Sequence, residues 1–412
     1  MDEGTGTRFW SAISPLRLRR ITTTGAYVPE IEGLRFIAVL AVVLFHVPVQ
    51  IALRSSAAHP KSSFWIVISH GARGVPLFFV ISGFILALPF ASCILKRSQP
   101  VRLPHYYLRR LTRLEPPYVV AILIRIPLLI LSLHKPMRVV LEHGFASLFY
   151  IHSVVFGYIS TVNPPSWSLE VEIQFYCLAP LIAFTYFKLK SARVRRTLAS
   201  AFIFTAGVLQ AYIVPLNPRI ELSIVYHLQY FFAGALLVDL YLTDWDRIPS
   251  GWAWDVISTC AWAWIFASQS LHLHLLLPFV IVVAYIGAFK GRIFSSFFRL
   301  TWITLIGGMC YSIYLTHGLA ITAVDWLVHH WLVSAALPDL GQSLLAYSAS
   351  IVLAFIAGLL MYVTIERPCM DKNWPTKLKN FLKAHSTGLS LNTFVNTRTH
   401  CCPVRSRTES AD

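Results

Sequence analysis

The segment EGLRFIAVLAVVLFH, residues 32–46, places an arginine and a histidine within one apolar helix. Ionisable side chains are expensive in the hydrocarbon of a bilayer and usually mark a working site there. Arg35 and His46 are eleven residues apart, or about three helical turns, so they share one face with roughly 16 Å of helix between them. The segment therefore predicts a membrane-spanning helix with a function beyond anchoring.

The composition of the chain is typical of a polytopic membrane protein. Of the 412 residues 56% are hydrophobic and 13% are charged, against about 25% charged in soluble domains. Ten apolar runs approach the roughly 20 residues that cross a bilayer. These runs are residues 36–54, 74–95, 116–134, 168–187, 197–215, 223–242, 253–271, 273–289, 309–330 and 343–365. We expect an all-α fold with about ten transmembrane helices.

The basic residues predict the orientation of these helices. With the N-terminus inside, 27 of the 35 Lys and Arg residues fall in cytoplasmic segments and six in outward loops. Cytoplasmic loops carry this excess, so both termini are expected in the cytoplasm. The chain then divides into a cytoplasmic segment (1–32), a transmembrane domain (33–368) and a cytoplasmic tail (369–412), disordered beyond about 385.

The charge distribution excludes nucleic acid as a partner. The net charge of +16 is concentrated in juxtamembrane loops such as KLKSARVRR, residues 188–196, which attract anionic lipid headgroups. No compact basic domain remains to hold a duplex. The seven cysteines form no C-x-x-C pair, so neither a metal site nor a disulfide framework is indicated. We expect no permanently bound cofactor.

A basic cluster, RRLTR at residues 109–113, precedes the predicted third span, which Pro116 and Pro117 open. Arg110 and Arg113 are neighbours on one face if the segment is helical. Paired guanidiniums suit a polyanion such as the phosphates of a nucleotide or of coenzyme A. A stop signal bound to lipid phosphates is the simpler interpretation, and spacing alone favours it.

The second predicted span opens with GVPLFFVISGF, residues 74–84. The Ser82-Gly83 pair inside this aromatic stretch allows helices to approach closely. It also leaves room for a ligand, but composition alone favours packing.

The loop before the fourth span ends in PPSWSLEVEIQFY, residues 164–176. A helix is predicted to begin near Ser168 as N-cap, with carboxylates in its first turns as dipole partners. Glu170 and Glu172 open a span where a bare charge is costly, which favours a function for one of them.

Two late motifs have simple structural interpretations. YSIYLTH at residues 311–317 places His317 on the face of Ile313 and Tyr314, where a lone histidine is more often a hydrogen-bonded packing residue. ERP at residues 366–368 reads as a local helix stop at the inner surface.

Together these motifs resemble the acyltransferase 3 family of integral membrane O-acyltransferases, from about residue 30 to 368. The family's elements occur here in its order: acidic-Gly-Leu-Arg with Arg-x10-His, Phe-Phe-x-x-Ser-Gly-Phe, Arg-x-x-Arg, Trp-Ser-Leu-x-x-Glu-x-Gln-Phe-Tyr, Tyr-Ser-x-Tyr-Leu-x-His and Glu-Arg-Pro. One departure concerns the consecutive glutamates of the family pattern, which are Glu172-Ile173 here, so Glu172 is the residue that we carry over. Many relatives also append a periplasmic esterase-like domain, and we expect none after residue 368.

The resemblance implies transfer of an acyl group, commonly acetyl, from cytoplasmic acyl-CoA to a hydroxyl of a carbohydrate, a lipid-linked saccharide or another envelope molecule. It implies His46 as the catalytic histidine and Arg35 as its companion, holding the polar part of the donor or the developing oxyanion. Glu172 joins them as a catalytic candidate. The remaining candidates are the donor-binding Arg110, Arg113 and Ser82, and the acceptor-path residues Glu170, Tyr311 and His317.

The chain is thus predicted to be a multi-pass O-acetylating transferase of the bacterial inner membrane that modifies polysaccharide. A transporter or flippase for an envelope precursor is the alternative, since it also places ionisable residues at mid-membrane. Such proteins commonly contain internal repeats, whereas the Arg/His span has no counterpart in the second half. A non-enzymatic membrane sensor is a third class, and retention of Arg35, His46, Arg110 and Arg113 weighs against it.

Overall fold

The computed structural model is almost entirely helical where it describes the chain. It describes residues 19–20, 27–52, 67–131, 134–212, 217–268, 273–327, 330, 339–371, 373–376 and 379–380. Its α-helices are α1 Pro29–Ala52, α2 Gly74–Lys96, α3 Leu103–Leu131, α4 Met137–Leu148, α5 His152–Phe156, α6 Trp167–Lys188, α7 Ala192–Tyr212, α8 Pro218–Glu221, α9 Ile224–Thr243, α10 Trp252–Ala267, α11 Leu273–Lys290, α12 Arg292–Phe298, α13 Thr301–Gly308, α14 Cys310–Leu327, α15 Asp339–Met361 and α16 Arg367–Cys369. No strand occurs within these ranges, so the all-α prediction is confirmed. The tail predicted to be disordered beyond about 385 lies outside the described residues.

Each of the ten predicted spans overlaps a helix of the structure. Five segments are long and apolar enough to cross a bilayer, namely Pro29–Pro48, Val67–Lys96, Leu103–Leu131, Pro218–Thr243 and Leu345–Cys369. Two bent helix pairs raise this number to as many as seven, Leu275–Lys290 with Arg292–Phe298 and Thr301–Gly308 with Cys310–Leu327. The fold is that of an integral membrane protein, while the count of ten spans and the cytoplasmic termini stay predictions.

The third span begins thirteen residues before the predicted start, at Leu103 instead of residue 116. Pro116 and Pro117 lie inside α3, where the sequence predicted that they would open the helix. Helices in membranes tolerate proline because neighbouring helices and side chains satisfy the freed backbone groups. Tyr311 donates a hydrogen bond from its hydroxyl to Leu114 O at 2.8 Å, which ties α14 to α3 just before the two prolines.

A buried carboxylate fixes the sharp bend between α11 and α12, which cross at 85°. Asp255 on α10 accepts hydrogen bonds of 2.9–3.0 Å from the backbone N–H groups of residues 292, 293 and 294. These groups have no intrahelical partner at the start of a helix, so the carboxylate satisfies them. A Cβ at Gly291 would lie 2.5 Å from Asp255 Oδ1, which explains why the corner carries glycine.

Two glycines bring α2 and α9 into backbone contact. A Cβ at Gly83 would lie 2.3 Å from Phe231 O, and one at Gly234 would lie 2.3 Å from Val80 O. Small residues at membrane helix interfaces allow this close approach. Gly83 therefore serves helix packing, and the donor-binding role of Ser82 stays a prediction.

Two basic residues in the first turns of α7 form a buried ionic network with α9. Arg195 donates hydrogen bonds to Asp239 Oδ1 at 2.5 and 3.1 Å, and Arg196 donates to Asp239 Oδ2 at 3.0 Å. Arg196 also pairs with Asp244. Asp239 is completely buried, so part of the basic loop that the sequence assigned to topology also holds two helices together.

The bend of 72° between α13 and α14 brings the start of α14 close to the start of α1. A Cβ at Gly307 would lie 1.7 Å from Glu32 O, so α13 and α1 meet with no side chain between them. This contact places the late Tyr-Ser-x-Tyr-Leu-x-His motif beside the Arg/His helix.

Candidate active site

Arg35 belongs to a buried ionic cluster at the start of α1. Its Nη1 donates to Glu32 Oε1 at 2.8 Å and to Oε2 at 2.9 Å. Arg20 donates from Nη1 to the same Oε1 at 2.9 Å. Glu32 is 5% exposed and Arg35 9%. Because one carboxylate lies between two guanidiniums, the cluster holds one excess positive charge.

Glu366 of the Glu-Arg-Pro motif joins α14 to α3. Its Oε2 accepts hydrogen bonds from Ser312 N at 3.2 Å and Ser312 Oγ at 2.6 Å. Its Oε1 lies 3.6 Å from Arg113 Nη2. Glu366 is completely buried in a π-helical turn, Tyr362–Glu366, and such turns are frequent at functional sites. The motif is thus more than the local helix stop that the sequence suggested.

Arg110 and Arg113 lie on one helix, as the conditional prediction from their spacing requires. The Arg110 guanidinium stacks over the Tyr106 ring at 3.8 Å and faces the Tyr176 ring at 5.5 Å. Its Nη1 donates to Tyr106 O at 3.2 Å. Planar stacking of this kind orients a guanidinium and leaves other N–H groups available for an anion.

Glu172 and Ser82, predicted as catalytic and donor-binding residues, are hydrogen-bonded to each other. Glu172 Oε1 accepts from Ser82 Oγ at 2.6 Å and from Tyr176 Oη at 2.5 Å. The predicted N-cap was wrong, since α6 begins at Trp167 and the Ser168 hydroxyl lies 2.6 Å from Tyr314 Oη. With the helix starting at Trp167, Glu170 and Glu172 both lie in its first two turns.

Two of the acceptor-path candidates, Glu170 and Tyr311, make hydrogen bonds to the backbone of other segments. Glu170 is completely buried, and its Oε2 accepts from the backbone N–H of Ser153 at 2.9 Å. Its Oε1 is buried without a hydrogen-bond partner. Tyr311 donates to Leu114 O on α3, so its hydroxyl supports the proline-containing turn.

A histidine pair lies in the loop region between α3 and α6, next to Ser153. His143 Nδ1 and His152 Nε2 are 2.8 Å apart, so one ring donates a proton that the other accepts. Burial and the neighbouring His143 lower the pKa of His152 to about 4. His152 is therefore neutral at neutral pH, and its bond to His143 joins α4 to α5 beside Glu170.

The structure brings together two histidines that are 271 positions apart in the sequence. The rings of His46 and His317 meet edge to face, with centroids 4.9 Å apart. His46 Nδ1 lies 2.8 Å from Val42 O, and His317 Nδ1 lies 2.7 Å from Tyr314 O. A carbonyl oxygen only accepts, so each Nδ1 carries the proton and each neutral ring keeps a lone pair on Nε2. His317 Nε2 is buried without a partner.

The structure does not bring Arg35 to His46. Arg35 bonds to Glu32, whereas His46 contacts His317, and roughly 16 Å of helix separates the two along the axis. The site thus has an ionic part at the start of α1 and a histidine part toward its end. Glu172, Ser82 and Arg110 form a third group, with Arg20 and Arg110 both near Glu172.

Arg125 on α3 is a buried charge that none of the sequence motifs marks. It is 8% exposed, and its Nη1 donates to Val162 O at 3.1 Å in the loop before α6. Its positive charge is close enough to His46 and His317 to act on both imidazoles. The available signal was a single arginine within AILIRIPLLIL, residues 121–131, because a charge inside a span is a functional candidate by default.

Comparisons with known proteins agree with this arrangement of membrane helices and polar motifs. A sequence model of the acyltransferase 3 family, described as an acyltransferase domain, matches residues 28–363. The chain is 26% identical over 384 residues to the O-acetyltransferase OatA of Staphylococcus aureus strain NCTC 8325, covering 84% of this chain and 58% of OatA. A putative O-acetyltransferase of S. aureus strain COL is 26% identical over 408 residues, covering 87% of this chain and 60% of that protein. No solved structure matches the chain.

The apolar helices and the ionisable groups buried among them are those of an integral membrane protein. The family match extends over most of the chain, and the chain belongs to the acyltransferase 3 family, as its motifs predicted. It spans a little under three fifths of the length of OatA, at 58%. Family membership favours the enzyme over the transporter, the flippase and the non-enzymatic sensor.

Proposed function

We propose that the protein transfers an acetyl group from cytoplasmic acetyl-CoA to a hydroxyl of a cell-envelope carbohydrate or lipid-linked saccharide. The observation that carries this proposal is the pair of imidazoles, His46 and His317, each with Nδ1 against a carbonyl oxygen and with its Nε2 lone pair available. Acyl transfer to a hydroxyl needs such a base, because a neutral hydroxyl is a weak nucleophile.

His46 is the general base of this proposal. The acceptor hydroxyl oxygen attacks the thioester carbonyl carbon while its proton passes to His46 Nε2. The tetrahedral intermediate then collapses, the C–S bond breaks, and the coenzyme A thiolate takes up a proton from His46. Proton transfer by a positioned histidine typically contributes about 10²–10⁴-fold to the rate.

The donor side of the proposal rests on the basic residues of α3 and α1. Arg110 and Arg113 are half-buried on one face of α3 and present guanidinium N–H groups to the phosphates of coenzyme A. Glu366 holds Arg113 from the opposite side at 3.6 Å, and Arg35 with Arg20 adds positive charge near by. Ser82 and Glu172 complete the donor side, because they are hydrogen-bonded to each other and Arg110 lies near the Glu172 carboxylate.

The acceptor side is supported by the polar residues of the loop before α6 and by the relatives. Glu170 Oε1, Asn163 Oδ1 and Asn163 Nδ2 are buried without protein partners, and they suit the hydroxyls of a sugar. Two relatives of Staphylococcus aureus are named O-acetyltransferases, which supports acetyl as the group and a bacterial plasma membrane as the location.

Labelled acetyl-CoA tests this function directly. Membranes that contain wild type or His46→Ala are incubated with acetyl-labelled donor and fractionated envelope glycans, and alkali-labile label in the glycans is counted. We expect hydroxyl esters with wild type and none with His46→Ala at equal protein abundance. His105→Ala, which removes an exposed histidine at the start of α3, is the matched control and should transfer label normally. Equal labelling by wild type and His46→Ala would remove His46 from the reaction, and labelling by neither would refute the function.

A further inference from the structure

Arg125 is a buried cation without an anionic partner among the described residues. One N–H group, on Nη1, reaches a backbone carbonyl, that of Val162, at 3.1 Å. Nε and Nη2 are buried without a hydrogen-bond partner. No carboxylate of the described ranges forms an ion pair with it.

Such an arrangement is costly unless an anion completes it. Burying an isolated charge costs several kcal/mol, and arginine stays protonated where other groups would neutralise. Ionisable residues within membrane spans pair with one another or mark a substrate pathway. The two free donor nitrogens of Arg125 therefore indicate a negatively charged oxygen that the substrate supplies.

The position of Arg125 identifies which oxygen this is. Gly318 follows His317 directly, and a Cβ at position 318 would lie 2.6 Å from Arg125 Nη2. Because glycine has no side chain, the Arg125 guanidinium can lie against α14 next to His317. His46 and His317 both lie within reach of its charge, and His317 Nε2 is itself unpartnered. A reacting group between these three side chains meets a base and a cation together.

We propose that Arg125 is a catalytic residue that binds the carbonyl oxygen of the acyl donor as this oxygen becomes negatively charged. The inference rests on the proposed acyl transfer. When the acceptor hydroxyl attacks, the C–O bond forms and the carbonyl π electrons move onto this oxygen, which Nε–H and Nη2–H then hold. The electrons return when the C–S bond breaks, and the thiolate leaves with the proton from His46. A donor aimed at the developing oxyanion stabilises the transition state more than the ground state.

Arg35 is poorly placed for the same role. Both oxygens of Glu32 already engage its Nη1, and roughly 16 Å of helix separates it from His46. Arg35 therefore fits the polar portion of the donor, and Arg125 fits the reacting carbonyl. The two arginines divide the functions that the sequence had assigned to Arg35 alone.

Steady-state kinetics of Arg125→Gln test the proposal. Thiol release from acetyl-CoA is followed in membranes supplied with the envelope glycan fraction. We expect kcat to fall about 10²–10³-fold, the typical loss for one oxyanion donor, with the donor KM within about threefold of wild type. Arg138→Gln is the matched control. Arg138 lies on α4, where it pairs with Glu142 at the surface, and its side chain is 89% exposed. Its kcat should equal that of wild type.

Gly318→Ala tests the proposal with the arginine retained, in case Arg125→Gln does not fold. The added methyl group displaces Nη2, and a misplacement of about 1 Å costs on the order of 10²-fold in rate. We expect kcat to fall with the donor KM unchanged. A wild-type kcat for Gly318→Ala, or for a folded Arg125→Gln, would overturn the role of Arg125 while leaving the acyl transfer itself established. An inactive wild type would instead refute the proposed function.

Discussion

The contact between Gly83 and Gly234 gives a sharp prediction for helix packing. Ordinary contacts of a Cβ begin at 3.4 Å, yet a methyl group at either position would lie 2.3 Å from a backbone oxygen of the other helix. Neither oxygen is a flexible side-chain atom, so α2 and α9 must separate by about 1 Å to admit it. Overpacking of this kind typically costs about 1–3 kcal/mol in the free energy of unfolding.

We therefore expect Gly83→Ala and Gly234→Ala each to lower the melting temperature by roughly 1–4 °C, given the length of the chain. The double variant should lose less than the sum, because separation of the helices for one methyl group makes room for the second. Unfolding is followed in detergent with a thiol-reactive dye, since Cys310 and Cys369 are buried in the folded protein.

Gly251→Ala is the control for this series, because nothing lies within 4 Å of the position that its Cβ would occupy. Its melting temperature should equal that of wild type. If Gly83→Ala and Gly234→Ala also melt at the wild-type temperature, α2 and α9 do not meet through their backbones. Fully additive losses in the double variant would show that the two glycines relieve separate contacts.

Two further predictions concern donor binding and the ionic network. Replacing Arg110 and Arg113 together with alanine should raise the donor KM about 10²–10⁴-fold at normal protein abundance, because each of the two lost charge-assisted hydrogen bonds weakens binding by about 1.5–3 kcal/mol. Unchanged donor kinetics would contradict the clamp. Asp239→Asn leaves Arg195 buried without its counter-charge and should lower the free energy of unfolding by about 3–5 kcal/mol in the same dye assay. Asp246→Asn, at an exposed position three residues past the end of α9, is its control, and equal melting of the two variants would argue against the network.

The sequence predicts the helices well because the apolar runs that form them are local. All ten predicted spans overlap helices, and the boundaries of α6 and α9 agree within a residue or two. The predicted start of α3 was wrong because proline usually opens or ends a helix in water, whereas helices in membranes tolerate it. The sharp bends at Gly291 and Met309 depend on contacts with Asp255 and α1, which no local pattern records.

The site was predicted in its parts but not in its arrangement. The motifs identified Arg35, His46, Arg110, Arg113 and Glu172 as candidates, and their roles stay predictions. The meeting of His46 with His317 depends on how α1 and α14 pack, so spacing within one helix gives no sign of it. Arg125 belongs to none of the motifs. Only the folded structure shows that two of its guanidinium nitrogens are buried without a partner.

One stretch of α14 has a consequence for the order of events. Ser312 contacts the carboxylate beside Arg113, and His317 lies five residues further along the same helix, about 7.5 Å away. The bend at Met309 lies outside this stretch, so no hinge interrupts it. If coenzyme A binds at Arg113 as proposed, a shift of Glu366 on binding would be passed along this unbroken helix to the imidazole of His317. We therefore expect compulsory-order kinetics with the thioester bound first.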